Sequence, residues 1–202
     1  MELEQSGDTL ELLTEAFMSL KKYDRSLCLK VSDDEEIHVG AQGCFSGALG
    51  KVYEEEGVFK LYWKEVMSSL IKAVADSGCR VTRLSLENVT DADLIGEGKL
   101  WDDDLDEDVN RLSVSLTAFD VEVHCRDLHA VSKSIKQVMS QAKNLEILTF
   151  EPSGPHLYYD LAGFCHSVAS NSLEAINLSS LCCSVSDLIS FLSKHKSTLD
   201  HF

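Results

Sequence analysis

One phrase recurs along this chain: apolar, two free positions, apolar, one free position, apolar. It reads Val81-Thr-Arg-Leu84-Ser-Leu86, Val109-Asn-Arg-Leu112-Ser-Val114, Leu145-Glu-Ile-Leu148-Thr-Phe150 and Leu173-Glu-Ala-Ile176-Asn-Leu178. Leu199-Asp-His-Phe202 then begins it again. The first positions, 81, 109, 145, 173 and 199, lie 28, 36, 28 and 26 residues apart. A phrase returning at such intervals marks a repeated supersecondary unit, which cannot bury its apolar face alone and must stack on its neighbours.

The segments between the phrases carry a helical period. In "DLHAVSKSIKQVMSQAK" the residues Leu128, Val131, Ile135, Val138, Met139 and Ala142 share one face, with Asp127 at the N-cap position. Leu161, Phe164, Cys165 and Val168 do the same, as do Tyr62, Val66, Leu70 and Val74, a run that Gly78 then stops. Ser184 and Asp187 stand ahead of Leu188, Ile189 and Leu192 as an approximate capping box. The expected order is strand 81–86, strand 109–114, helix 127–142, strand 145–150, helix 158–170, strand 173–178, helix 184–195 and a strand from 199. Polar residues alternate with the apolar ones in these strands: Arg83, Ser85 and Glu87, Arg111 and Ser113, and Asn177. A sheet covered on both faces would show continuous apolar runs instead. The expected fold is therefore α/β, a solenoid with one parallel sheet on its concave side and helices on its convex side.

"NLEILTF", "SLEAINLSSL", "DLISFLSKHKSTLDHF" and "LYWKEVMSSLIKAVADSGCRVTRLSL" resemble the degenerate, ribonuclease-inhibitor-like leucine-rich repeats of F-box/LRR proteins, in particular the divergent fungal F-box-like group. The resemblance covers roughly residues 60–202. It implies a leucine-rich-repeat solenoid that binds protein, in the form of the substrate-recognition part of a ubiquitin-ligase receptor, with a Skp-type adaptor engaged through sequence outside this chain. The chain departs from the pattern in two ways. The Asn or Cys that follows the last apolar slot is replaced by Val89, Thr117, Ser153 and Leu181, and no Leu-Pro pair opens an F-box, the prolines being Pro152 and Pro155.

Residues 1–60 read as an irregular N-terminal repeat or cap, with a helix through Leu10, Leu13, Phe17 and Leu20 and a strand at 26–31 that turns Leu27 and Leu29 inward. A long acidic, glycine-containing loop follows. Residues 61–202 form the array. Phe202 falls in an inward slot of an unfinished strand with no polar cap, so continuation of the polypeptide, cover by a partner, or self-association at that edge is expected.

The net charge of −16 disfavours nucleic acid and anionic membrane surfaces, and no apolar run is long enough for a membrane span. The acids gather at 33–36, 54–56 and 101–108, which read as solvated loops or as a docking surface for a basic partner. Seven cysteines without C-x-x-C spacing, and no export signal, point to reduced thiols and a cytoplasmic or nuclear setting. "GAQGCFSGALGK" fails as a phosphate loop, because Phe45 stands where the first glycine is needed and Val52 where the hydroxyl is needed. The run from Asp102 lacks the glycine and terminal glutamate of an EF-hand loop, and Cys182-Cys183 with His195 lacks metal-ligand spacing. Cys165 and His166 are adjacent on one helix and so diverge by about 100°. No catalytic, cofactor or metal site is expected. The candidate partner-binding residues are those of the concave face, Arg83, Ser85, Glu87, Arg111, Ser113, Ile147, Thr149 and Asn177, with Arg83 and Arg111 stacked as a clamp for a carboxylate or phosphate. The alternatives are an enzyme on a doubly wound sheet around Cys165 and His166, and a scaffold protein with no link to ubiquitin.

Overall fold

The computed structural model describes residues 6–23, 26–32, 39–41, 59–90, 100–124, 128–153, 161–179 and 184–201. Expectations at Asp127, Leu181, Cys182, Cys183 and Phe202, in the acidic runs 33–36 and 54–56, and over most of the glycine-containing loop lie outside them. So do the side chains of Tyr62, Leu128, Val131 and Leu161.

Among the described residues the strands are β1 (Leu27–Ser32), β2 (Val39–Ala41), β3 (Val81–Thr90), β4 (Ala118–His124), β5 (Ile147–Pro152) and β6 (Ala175–Leu178). The helices are α1 (Ser6–Lys21), α2 (Phe59–Ser77), α3 (Asp106–Val114), α4 (Leu128–Gln141), α5 (Leu161–Ser167) and α6 (Val185–His195). One sheet has the order β2-β1-β3-β4-β5-β6, with β2 antiparallel to β1 and every other pair parallel. The α/β class expected from the sequence holds. Strand β1 runs along β3 from Leu27 to Ser32, so part of the first 60 residues is built into the same sheet as the rest. The span after β1, expected as loop throughout, contains β2.

Alternation decides which face is covered. Leu29, Leu84, Phe119, Leu148 and Ile176 lie in register across five strands and are all buried, and Val31, Leu86, Val121 and Phe150 form a second buried row. The helices touch one another in chain order, α1 on α2 and so on to α6, as one layer. Their apolar stripes meet the buried rows. Ile135, Val138, Met139 and Ala142 of α4 and its C-terminal turn are buried, and Phe164 of α5 stacks on Phe150 with ring centroids 4.7 Å apart, a geometry that adds to burial. Phe17 anchors α1 in the same core, where its carbonyl accepts from the Cys79 thiol at 2.9 Å. In α6 the buried residues are Phe191 and His195, while Ile189, expected on the apolar stripe, is 58% exposed.

The ends of these helices follow local chemistry. Gly78 takes φ +61 after α2 and donates its N–H to the carbonyls of Val74 and Ala75, a left-handed stop that a side chain would strain. Lys21 caps the same turn through the Ser77 carbonyl at 3.1 Å. Ser184 accepts the Asp187 N–H at 3.1 Å and so caps α6 as expected. Serines close other turns, the buried Ser170 donating to Leu145 O at 2.6 Å and the half-buried Ser115 to Val81 O at 2.7 Å.

The expected strand 109–114 is helix α3. Apolar residues three apart suit one face of a helix as well as the repeated phrase, and Leu105, Val109 and Leu112 form that face, all buried. Asp106, Glu107 and Asp108 occupy the first turn, where the helix dipole favours acids, and Arg111 the last, where it favours bases. Arg111 bonds Glu107 one turn back at 2.6 Å. The strand comes seven residues later, and it fits the phrase too: Leu116-Thr-Ala-Phe119-Asp-Val121, all three slots buried. Replacing Leu116 by Ala is expected to cost about 2–5 kcal/mol, whereas Val114→Ala, at a site 51% exposed, changes stability by about 0.5 kcal/mol or less. Urea unfolding of both variants checks this, and the opposite ranking would restore the strand at 109–114.

Candidate interaction face

Among the described residues, no helix lies on the other face of the sheet. Its positions line up across the strands into columns: Cys28, Arg83, Ala118, Ile147 and Ala175 form one, and Lys30, Ser85, Asp120, Thr149 and Asn177 the next. Glu87, Glu122 and Glu151 continue along the same strands toward their carboxyl ends, with Glu122 and Glu151 direct partners in register. At Asn88 the backbone turns left-handed, φ 56, and the register of β3 with β4 shifts there. Asparagine tolerates that conformation better than most side chains. The bulge leaves Glu122 beside the Glu87–Asn88 step.

Of the eight residues expected on this face, six are on it. Arg83 and Asn177 are exposed, Ile147 is 38% exposed, and Thr149 and Glu87 are half-buried. Ser85 is on the face yet buried, its hydroxyl donating to Glu87 at 3.3 Å. Arg111 and Ser113 are not on the face, because their segment is α3: Arg111 is committed to Glu107 and Asp108, and Ser113 is fully buried with its hydroxyl on the Val109 carbonyl. The arginine stack is therefore absent. In its place Arg83 Nε bonds Asp120 Oδ2 on the neighbouring strand at 2.8 Å, an acid the register shift of one strand had hidden. Lys30 pairs with Glu87 at 2.6 Å. Both pairs are partly exposed, so they fix side-chain geometry more than they stabilise the fold.

Charge is unevenly placed. The β1–β4 side of the face holds both of these ion pairs. On the β4–β6 side Glu151 accepts the Asn177 amide at 2.6 Å, and Glu122 contacts His124 Nε2 at 3.0 Å. Where the strands of this side begin, a hollow of about 370 Å3 is lined by Ile147, Thr149, Ala175, Asn177, Asp200 and His201, with Leu148 and Ile176 at its base. Asp200, His201 and the hollow were not legible as part of a site, since they belong to the unfinished fifth phrase. That phrase is present as a single parallel bridge between His201 and Ala175.

Two groups deserve a chemical reading. Ser153 Oγ contacts His124 Nδ1, whose other nitrogen contacts Glu122, a nucleophile–base–acid sequence at the carboxyl ends of β4 and β5. Ser153 N–H, however, is held by the Val123 carbonyl at 2.7 Å, so it does not offer the oxyanion donor such a nucleophile uses. Cys165 is buried and His166 exposed on α5, on diverging positions of one helix.

Burial shifts one histidine. His195, in the last turn of α6, is 1% exposed, packs on the Phe191 ring and has no partner for either ring nitrogen among the described residues. Desolvation, helped by the adjacent Lys194 charge, holds its pKa below 6.5. Since the unfolded chain takes up this proton more readily, stability is full above pH 6.5 and is lost as pH falls through the lowered native value. His195→Leu is expected to flatten the stability profile below pH 6.5, measured by thermal melts. An unchanged slope would mean that other groups set it.

Comparisons of this chain with protein-family models, with curated proteins and with solved structures find no match.

Proposed function

We propose that this chain is a non-enzymatic protein-interaction module of the leucine-rich-repeat solenoid kind, and that the open face of its sheet holds the partner. The observation that carries the reading is the strand order. Five parallel strands follow one another in chain order with their helices in one layer, which leaves polar and small side chains of five strands side by side on a face that no described helix covers. Such a surface suits an extended contact better than a small substrate. An enzyme on a doubly wound sheet uses the crevice where strand order reverses, and the parallel strands here have no reversal.

As the substrate-recognition part of a ubiquitin-ligase receptor, the module would present a target from this face while an F-box elsewhere engages a Skp-type adaptor. As a scaffold it would use the same face without the adaptor. The two forms differ in what co-purifies, so recovery of such an adaptor separates them.

The face itself is tested by substitutions that replace its side chains with polar, uncharged amides. Ile147→Gln/Thr149→Gln is expected to reduce partners recovered by cross-linking and quantitative mass spectrometry by about fivefold or more, because truncating or crowding a contact centre dominates binding. Val185→Gln/Ile189→Gln alters two residues 74% and 58% exposed on α6 and is expected to leave the recovered set intact. Loss of the same partners from the α6 variant, with the face variant unaffected, would move the contact to the helices and overturn the proposal.

A further inference from the structure

We infer that the β5–β6 end of the open face receives a short basic segment of the partner, with an aliphatic side chain on Ile147 and Ala175 and lysine or arginine side chains against the neighbouring carboxylates. This names the partner's chemistry and rests on the interaction reading above.

Three acids recur at one position of successive repeats. Glu174 N–H bonds Glu146 O at 2.8 Å, and Asp200 N–H bonds Glu174 O at 2.7 Å. Their backbones therefore stand one strand apart, about 4.8 Å. All three are exposed, and among the described residues none is in an ion pair. Like charges at adjacent rungs repel one another, a cost a bound cation would relieve. The hollow begins beside this ladder, with Asp200, the exposed Ile147 and Ala175 in its lining. Along β5 lies Glu151, next to Glu122 in register and satisfied by a neutral amide from Asn177.

Carboxylates thus bracket an apolar step at both ends of the strands. The face's own cations cannot serve there, because Lys30 and Arg83 sit on β1 and β3 and are bonded to Glu87 and Asp120. A second copy of the chain would bring another net charge of −16 against these acids, which opposes association. A hollow of about 370 Å3 accommodates a few side chains rather than a domain.

The probe is a fluorescein-labelled peptide of about nine alternating lysines and isoleucines, compared with versions carrying glutamate for lysine or serine for isoleucine. Fluorescence anisotropy with the full chain is expected to show binding of the first and about tenfold or weaker binding of the other two. Glu174→Lys/Asp200→Lys is expected to lower affinity about tenfold, and Glu174→Gln/Asp200→Gln by less, with thermal melts confirming a folded chain. Glu11→Lys/Glu15→Lys, which changes net charge equally on α1, is expected to alter affinity less than about twofold. Equal weakening by the α1 variant, or equal binding of the glutamate peptide, overturns the inference. If the Ile147→Gln/Thr149→Gln variant loses its cellular partners while the lysine–isoleucine peptide fails to bind, the face stands as an interaction surface and the basic partner falls.

Discussion

From β3 onward, each return of this chain to the sheet is set by a carbonyl at the start of the preceding strand. Thr117 O accepts the N–H groups of Glu146 and Ile147, Glu146 O those of Glu174 and Ala175, and Glu174 O those of Asp200 and His201, at 2.7–3.1 Å. Thr82 O receives Thr117 N–H at 2.8 Å in the same way. One acceptor using both lone pairs fixes where the next strand begins, and hence its register. Register in turn decides which side chains point to the helices, since a slip of one residue would exchange the two faces. The positions 82, 117, 146, 174 and 200 lie 35, 29, 28 and 26 residues apart, so the hydrogen bonds repeat as the apolar phrase does.

With register fixed, the two faces have opposite fates. The inward side chains from Leu29 to Ile176 are buried against one layer of helices, and burial of this kind is the main favourable term in the fold. Among the described residues, the outward ones have no second layer to meet. They are satisfied locally instead, by Arg83 with Asp120, Lys30 with Glu87 and Asn177 with Glu151. Because these pairs are distributed unevenly, the acids Glu87 and Asp120 toward β1 are paired with cations, and the β5–β6 side keeps its acids beside an exposed isoleucine. A surface with that asymmetry favours one end for a cationic partner.

The repeat, its helices and the inward slots could be read from the sequence because apolar spacing reports burial directly. Leu84, Leu86, Leu148, Phe150 and Ile176 are buried as their spacing implies. The reading went astray at 109–114, where Val109 and Leu112 satisfy a helix and the repeated phrase equally well. Two signals favoured the helix: three acids at its start, and the Glu107–Arg111 spacing. Misplacing that strand carried Arg111 and Ser113 onto the face and hid Asp120 and Glu122, so the arginine clamp was a consequence of register. The hollow and the ladder of Glu146, Glu174 and Asp200 were illegible for another reason. They depend on which residues the chain reversal brings side by side, and apolar spacing carries no record of that.

The arrangement of the rungs is most directly tested by nuclear Overhauser effects between backbone protons of neighbouring strands in solution. Contacts should link Ser85 to Asp120, Asp120 to Thr149 and Thr149 to Asn177, with none joining Ser85 or Asp120 to Asn177. A direct contact between Asn177 and Asp120, or between β5 and β3, would contradict a sheet whose parallel strands run in chain order.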